Sequence, residues 1–266
     1  MNNSKKIKQI IFVLSLLLPI NTAFALNAEE CLDNWNAIKF NKKIPSLNSK
    51  MEEWKVFDKT CSAEGVYAYG VARLYASNNY LEGAQKVLKL LLKYKSKYYN
   101  EYLLLAANVE FNIVTSTDNF TNDDLNKVRN RYINIQQKYP NWYGGYVGLG
   151  NLELGVGNYK KSKYLLEKAN KLQQSPLGYR GLTLIYNTER LYNKAIESGD
   201  IAYQLDDSLM SDIKFVLSLS NAYMHVGKNK VAYNLLRMLV SNNNDAMKDP
   251  DVLAFGNLLE SRINKN

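Results

Sequence analysis

The sequence predicts an all-α stack of helical hairpins, and three observations carry that prediction. One pattern is written twice between Tyr143 and Leu205. Its first copy reads Tyr146, Leu149, Gly150, Gly157, Tyr159, Ser162, Leu166, Ala169; its second reads Tyr179, Leu182, Thr183, Tyr186, Tyr192, Ala195, Gly199, Ala202, with corresponding residues 33 positions apart except for Gly157 and Tyr186. A fixed period of this size is the sequence signature of stacked helical units. The spacing within each copy is helical as well. Tyr179, Leu182 and Tyr186 share one face of a first helix (A), and Ala195, Gly199 and Ala202 line up small residues on a second (B). The turns between them, Gly155 to Asn158 and Asn187 to Arg190, are short, so the two helices are antiparallel neighbours. One hairpin cannot bury both of its faces, and the pattern therefore implies a stack.

The chain opens on a different kind of segment. Residues 1–25 have the form of a secretory signal peptide. Lys5, Lys6 and Lys8 make a basic start, Ile10 to Ile20 an apolar run of 11 residues, and Ala23-Phe24-Ala25 a small-residue cleavage motif. Eleven residues are too few to span a bilayer, which takes about 20. The mature chain is thus expected to begin at Leu26, in the periplasm or secreted, with no integral membrane segment after cleavage. Over 266 residues the formal charge is +9; without the three leader lysines, 31 basic residues face 25 acidic ones. A balance of +6 serves solubility and equally suits an acidic partner or an anionic surface.

Residues 26–62 are less regular. Glu29 to Phe40 and Lys50 to Lys59 are expected to be helical, with Pro45 marking the loop between them. Cys31 and Cys61, the only cysteines, flank this pair. In an exported chain two cysteines usually pair, and closing that loop stabilises by roughly 3–4 kcal/mol in the chain-entropy account. Two buried thiols are the alternative.

Residues 63–247 form the repeat array. Helix A positions start from Tyr67, Leu103, Tyr146, Tyr179 and Val216, and the uneven gaps place insertions in turns. In the first unit, lysines at 86, 89, 93, 95 and 97 interleave with Val87, Leu88, Leu90, Leu91 and Leu92, as on the solvated face of an amphipathic helix. In the second, Thr121-x-x-Asp124 has the form of a capping box that opens helix B, which stops before Pro140. Residues 248–266 are expected to be a capping helix, entered by Asp249-Pro250 and carrying Leu253, Phe255, Leu258 and Leu259 on its covered side.

No arrangement of residues in the sequence rises to a catalytic site. A single histidine, His225, excludes multi-histidine metal sites and fits a surface position. The glycines from Gly144 to Gly157 contain no G-x-G-x-x-G window, and the segment before them is helical, so they are read as packing and turn positions. Asp118, Asn122, Asp123 and Asp124 lack the spacing and the glycine of a calcium loop. No enzyme activity, cofactor, metal or nucleic-acid partner is expected.

The Tyr-x-x-Leu-Gly and Ala-x-x-x-Gly-x-x-Ala patterns resemble the tetratricopeptide repeat, a helix–turn–helix unit of 34 residues. The resemblance covers roughly residues 63–240. It implies a right-handed superhelical solenoid whose A helices line a concave groove for a protein or peptide. The residues it places in that groove are Ala72, Asn108, Asn151, Leu184 and Asn221 at one template position, with Arg180 and Lys214 at two others. Asparagine both donates and accepts, so such a row could hold an extended backbone with its amides free. The family's clamp for chaperone tails is not reproduced: its positions hold Val147, Asn151, Gly181, Lys214 and Ser218. The function implied is an exported, non-enzymatic scaffold that binds a protein or peptide. The other class considered is an auxiliary binder of envelope polysaccharide or lipid, with tyrosines as stacking surfaces.

Overall fold

The computed structural model describes residues 66–77, 79–92, 99–116 and 119–264. The leader, the 26–62 segment and the Cys31–Cys61 pair lie outside them. The described residues hold eleven α-helices and no strand. Five A/B hairpins follow one another: α1 (Val66–Ser77) and α2 (Leu81–Leu91), α3 (Tyr99–Thr115) and α4 (Asn122–Lys138), α5 (Tyr143–Gly155) and α6 (Tyr159–Leu172), α7 (Pro176–Thr188) and α8 (Tyr192–Leu205), α9 (Ile213–His225) and α10 (Asn229–Asn242). Helix α11 (Pro250–Ile263) ends the array. The chain divides into two compact units at Tyr99 and Asn100.

In the first unit, α1 and α2 close on Val71, Ala72, Tyr75, Ala84, Val87, Leu88 and Leu91, all buried. Tyr80 sets its ring edge-on to Tyr75, 5.3 Å away, and covers the space where a Gly83 side chain would stand. Lys86 and Lys89 are exposed. This is the amphipathic pattern expected of α2: burial of one stripe stabilises the pair while the lysines stay hydrated.

In the second unit four helices, α4, α7, α9 and α11, start at a side-chain cap. Thr121 accepts from the Asp124 amide at 3.2 Å while the Asp124 carboxylate accepts from the Thr121 amide, which completes the expected capping box. Ser175 caps α7 ahead of Pro176, Asp212 caps α9, and Asp249 caps α11 ahead of Pro250. Four A–B turns share one further requirement. Asn79, Gly157, Arg190 and Gly227 all sit with φ between 58° and 81°, the left-handed region. Glycine adopts it freely; Arg190 adopts it at a cost. The extra residues between α8 and α9 form a 3₁₀ turn at Asp207–Ser211, which tucks Leu209 and Met210 into the core.

Packing follows the small-and-large logic of the repeat, with one reversal. Small residues were expected on helix B to receive bulky ones from helix A, and Ala195, Gly199 and Ala202 do so, with Leu219 of α9 pressed against Gly199. Between α5 and α7 the roles are exchanged. Leu166 of α6, wholly buried, lies between Gly150 of α5 and Gly181 of α7. A side chain on Gly150 would come within 2.6 Å of Leu166 Cδ2, and one on Gly181 within 2.5 Å of Leu166 Cδ1. Carbon atoms need about 3.5–4.0 Å, so neither helix has room for a methyl group there.

Helix α11 differs from expectation in the face it buries. Val252 and Leu259 are covered and Phe255 is half-covered, whereas Leu253 and Leu258 are 48% and 42% exposed. Positions 252, 255 and 259 follow the three-and-four spacing of one stripe, and 253 and 258 fall a quarter turn to either side.

Candidate functional site

The A helices α5, α7 and α9 pack side by side in that order. Because their other faces meet B helices, one stripe of each stays partly open. On α7 it carries Leu177, Arg180, Leu184 and Asn187; on α9 it carries Lys214, Leu217, Ser218 and Asn221; on α5 it carries Asn151 and Leu154. The predicted residues Asn151, Arg180, Leu184, Lys214 and Asn221 thus come together on one row. Leu177 and Leu217 extend it and were missed. Their three-residue spacing from Arg180 and Lys214 was the available signal.

The polar members of the row are engaged differently from a row of free amides. Asn221 Nδ2 donates to Asn187 Oδ1 at 2.8 Å, joining α9 to α7. Arg180 donates to Asp212 through Nε at 2.7 Å and holds the cap of α9 in place. Asn108, on α3, accepts at 2.7 Å from the hydroxyl of Tyr132, which is buried and needs that acceptor. Asn151 Oδ1 is buried, accepts no hydrogen bond, and lies close to Gly181 of the next A helix. Lys214 is exposed, and Leu184 is half-buried against the core. Free amides were expected at 108, 151 and 221. At 108 and 221 the side chains bind the protein itself, because a half-buried amide between two packed helices finds a partner there first.

Two further networks hold the row's backbone. Glu153, at the end of α5, is wholly buried, yet its carboxylate accepts from Arg129 Nε at 2.9 Å, Lys161 Nζ at 2.8 Å and Asn158 Nδ2 at 2.7 Å. Burial works to raise its pKa, and the three donors outweigh that, so the group is held below the ordinary glutamate range. One charge thereby joins α4, α5 and α6. The second network repeats along the array. Tyr186 of α7 donates to Glu167 of α6 at 3.0 Å, and Tyr223 of α9 donates to Asp200 of α8 at 2.8 Å. In each case an A-helix tyrosine is tied to the B helix of the preceding hairpin. Burial and the carboxylate together push the Tyr186 phenol up to about 12, and Tyr223 rises in the same way.

His225, exposed at the end of α9, stacks flat on Tyr192 with ring centroids 4.3 Å apart. Among the described residues, no three His, Cys, Asp or Glu side chains group as a metal site would require. No helix among them is long and apolar enough to cross a membrane.

No protein-family model matches the sequence, and none of the curated proteins matches it. Solved structures do match. The chain is similar to TTC0263, a thermophilic TPR protein of Thermus thermophilus, with 16% identity, a TM-score of 0.51, and 74% of this chain and 97% of that chain covered. It is similar to the APC/C hetero-tetramer Cut9-Hcn1 at 14% identity and a TM-score of 0.61, over 82% of this chain and 40% of that one. It is also similar to yeast Tom70 at 9% identity and a TM-score of 0.59, over 88% and 47%. At these identities the likeness is one of fold, and on it the repeated hairpins, the left-handed turns and the side-by-side A helices agree: the chain folds as a tetratricopeptide-repeat protein.

Proposed function

We propose that this protein is an exported, non-enzymatic scaffold that seats a segment of a protein partner along the row of α5, α7 and α9. The observation that carries this reading is the composition of the row. Leu177 is 44% exposed, and Leu184 and Leu217 are half-exposed beside it, on neighbouring helices, with Lys214 exposed at one edge. Leucines held half-open by a packed backbone lose little entropy when covered, and burial of each is favourable by roughly 1.5–3 kcal/mol at most. The Arg180–Asp212 pair and the Asn187–Asn221 bond fix the spacing of α7 and α9, so the surface is organised before a partner arrives. The partner segment would present apolar side chains to the leucines and an acidic residue to Lys214. Export rests on the basic, apolar and small-residue organisation of residues 1–25.

Photo-crosslinking tests the row. A benzoylphenylalanine at Leu184 of the exported chain is expected to capture a partner from envelope extract, and the same group at Glu197 is not. Leu177→Asp with Leu217→Asp should abolish that capture while leaving the helical circular dichroism intact. Equal capture from both positions, or capture indifferent to the two aspartates, would refute the assignment. Amino-terminal sequencing of the exported protein, expected to read from Leu26, tests the compartment.

A further inference from the structure

A second surface, on the opposite helix of the third hairpin, has the chemistry of a different ligand. Gly157, Asn158, Tyr159, Lys160, Lys161 and Tyr164 line an open depression of about 810 Å³ at the start of α6. Tyr159 is 42% exposed and Tyr164 63%, the most exposed large hydrophobic side chain among the described residues. Neither ring is needed by the core, unlike Tyr132 or Tyr102, which are buried. The charge is one-sided. No carboxylate lines the depression, and Lys160 makes no ion pair among the described residues. Glu153, the acid that Asn158 and Lys161 engage, is wholly buried and shared with Arg129. Along α6, five lysines (160, 161, 163, 168, 171) stand with one glutamate, Glu167, whose carboxylate is engaged by Tyr186; Lys161 pairs with Glu153 and Lys163 with Glu189 of the next hairpin, which leaves Lys160, among the described residues, as the unpaired cation of the depression. Gly157 leaves open space at the rim, with nothing within 4 Å of where a side chain would start.

We propose that this depression binds an acidic polysaccharide. Exposed tyrosine faces give flat platforms on which pyranose rings stack, and their hydroxyls offer hydrogen bonds at the wet edge. Lys160, with the outer part of Lys161, supplies the attraction for uronate carboxylates. A membrane surface fits the patch less well, because no aliphatic side chain lines it for insertion beside the tyrosines. An acidic peptide fits less well too: the backbone here is engaged in the turn, where the Asn158 amide donates to the Glu153 carbonyl and the Tyr159 amide to that of Gly157. The site lies on helix B, away from the A-helix row, and stands whether or not that row binds a protein.

Affinity electrophoresis of the exported full-length chain in gels containing polygalacturonate is the test. Retardation by polygalacturonate, and none by neutral dextran, is expected. Tyr164→Ala and Lys160→Gln should each weaken it about tenfold, the scale of one lost stacking or charged contact, and Tyr164→Phe should retain it. Lys214→Gln, on the A-helix row, should leave it unchanged. All these positions are exposed, and circular dichroism verifies that each variant is folded. No retardation, or retardation indifferent to Tyr164→Ala and Lys160→Gln, overturns the proposal. So does equal binding of poly-glutamate or of phosphatidylglycerol vesicles, which would reduce the patch to unspecific charge.

Discussion

Leu166 is the point where three helices meet, and replacing the glycines on either side of it should expose how tightly they meet. In Gly150→Ala the new methyl lies 2.6 Å from Leu166 Cδ2 and 2.8 Å from Cγ, about 1 Å too close. Leu166 cannot swing away, because its other branch is held by the Gly181 backbone. Overpacking of this kind costs about 1–3 kcal/mol. Against that, removing glycine from a helix interior gains about 0.8–1 kcal/mol. The clash outweighs the gain, and a net loss of up to about 2 kcal/mol is expected for Gly150→Ala and for Gly181→Ala. Leu166→Ala alone should cost about 2–5 kcal/mol, since it empties a wholly buried site. In the Gly150→Ala, Gly181→Ala background the same change should cost far less, because two methyl groups then fill part of the space. Urea denaturation followed by circular dichroism measures all of these, and the cycle should show a coupling of about 1 kcal/mol or more. If the double variant carrying Gly150→Ala and Gly181→Ala were as stable as the unaltered chain, with Leu166→Ala equally costly in both backgrounds, the helices would not approach as described.

Three features of the second unit carry the other predictions. Glu153→Ala should destabilise by about 1–3 kcal/mol, with the loss limited because Arg129 and Lys161 keep partial access to water and can rehydrate. Since the folded Glu153 is held below its unfolded value, its contribution is present above the ordinary glutamate range and lost as pH falls through the folded value; acid titration of stability in Glu153→Gln should therefore be flatter than in the unaltered chain. Tyr223→Phe should cost about 1–2 kcal/mol by cutting the tie to Asp200. Tyr186 and Tyr223 are both raised, so their contribution is complete below the unfolded tyrosine value, about 10, and lost as pH climbs through the folded ones, about 12 for Tyr186. Alkaline denaturation of the double Phe variant should show a weaker pH dependence in that window. Arg190→Gly should stabilise by about 1 kcal/mol by removing a left-handed side-chain penalty, and Gly157→Ala should do the reverse despite having open space. Thermal melts report both signs.

The five hairpins were legible because their signal is periodic: Tyr146, Leu149 and Gly150 recur 33 residues on as Tyr179, Leu182 and Thr183, and periodicity survives the loss of any single match. The Thr121 box and the Asp249-Pro250 entry were legible because capping is local chemistry within three residues. What escaped depends on neighbours distant in sequence. Nothing near Asn108 announces that Tyr132, 24 residues on, takes its oxygen. Template position places Asn221 on the A-helix row but cannot say that Asn187, 34 residues earlier, will engage it. Arg190 hides a left-handed turn because the glycine that marks it at 157 and 227 is missing. The buried stripe of α11 was misjudged by one position because leucine is frequent around the whole helix and Val252 carries the weaker apolar signal.

The turn at Gly227 has a practical consequence. Its backbone is left-handed, nothing stands within 4 Å of its side-chain direction, and the helix end closes around it through its own amide to the Met224 carbonyl at 3.0 Å and the Lys228 amide to the Tyr223 carbonyl at 2.9 Å. The equivalent turn at Gly157 borders Asn158, which is committed to Glu153. Of the two, Gly227 is the place where the chain can be opened and lengthened. A fluorescent reporter or an affinity tag spliced there would ride on the outside of the fifth hairpin.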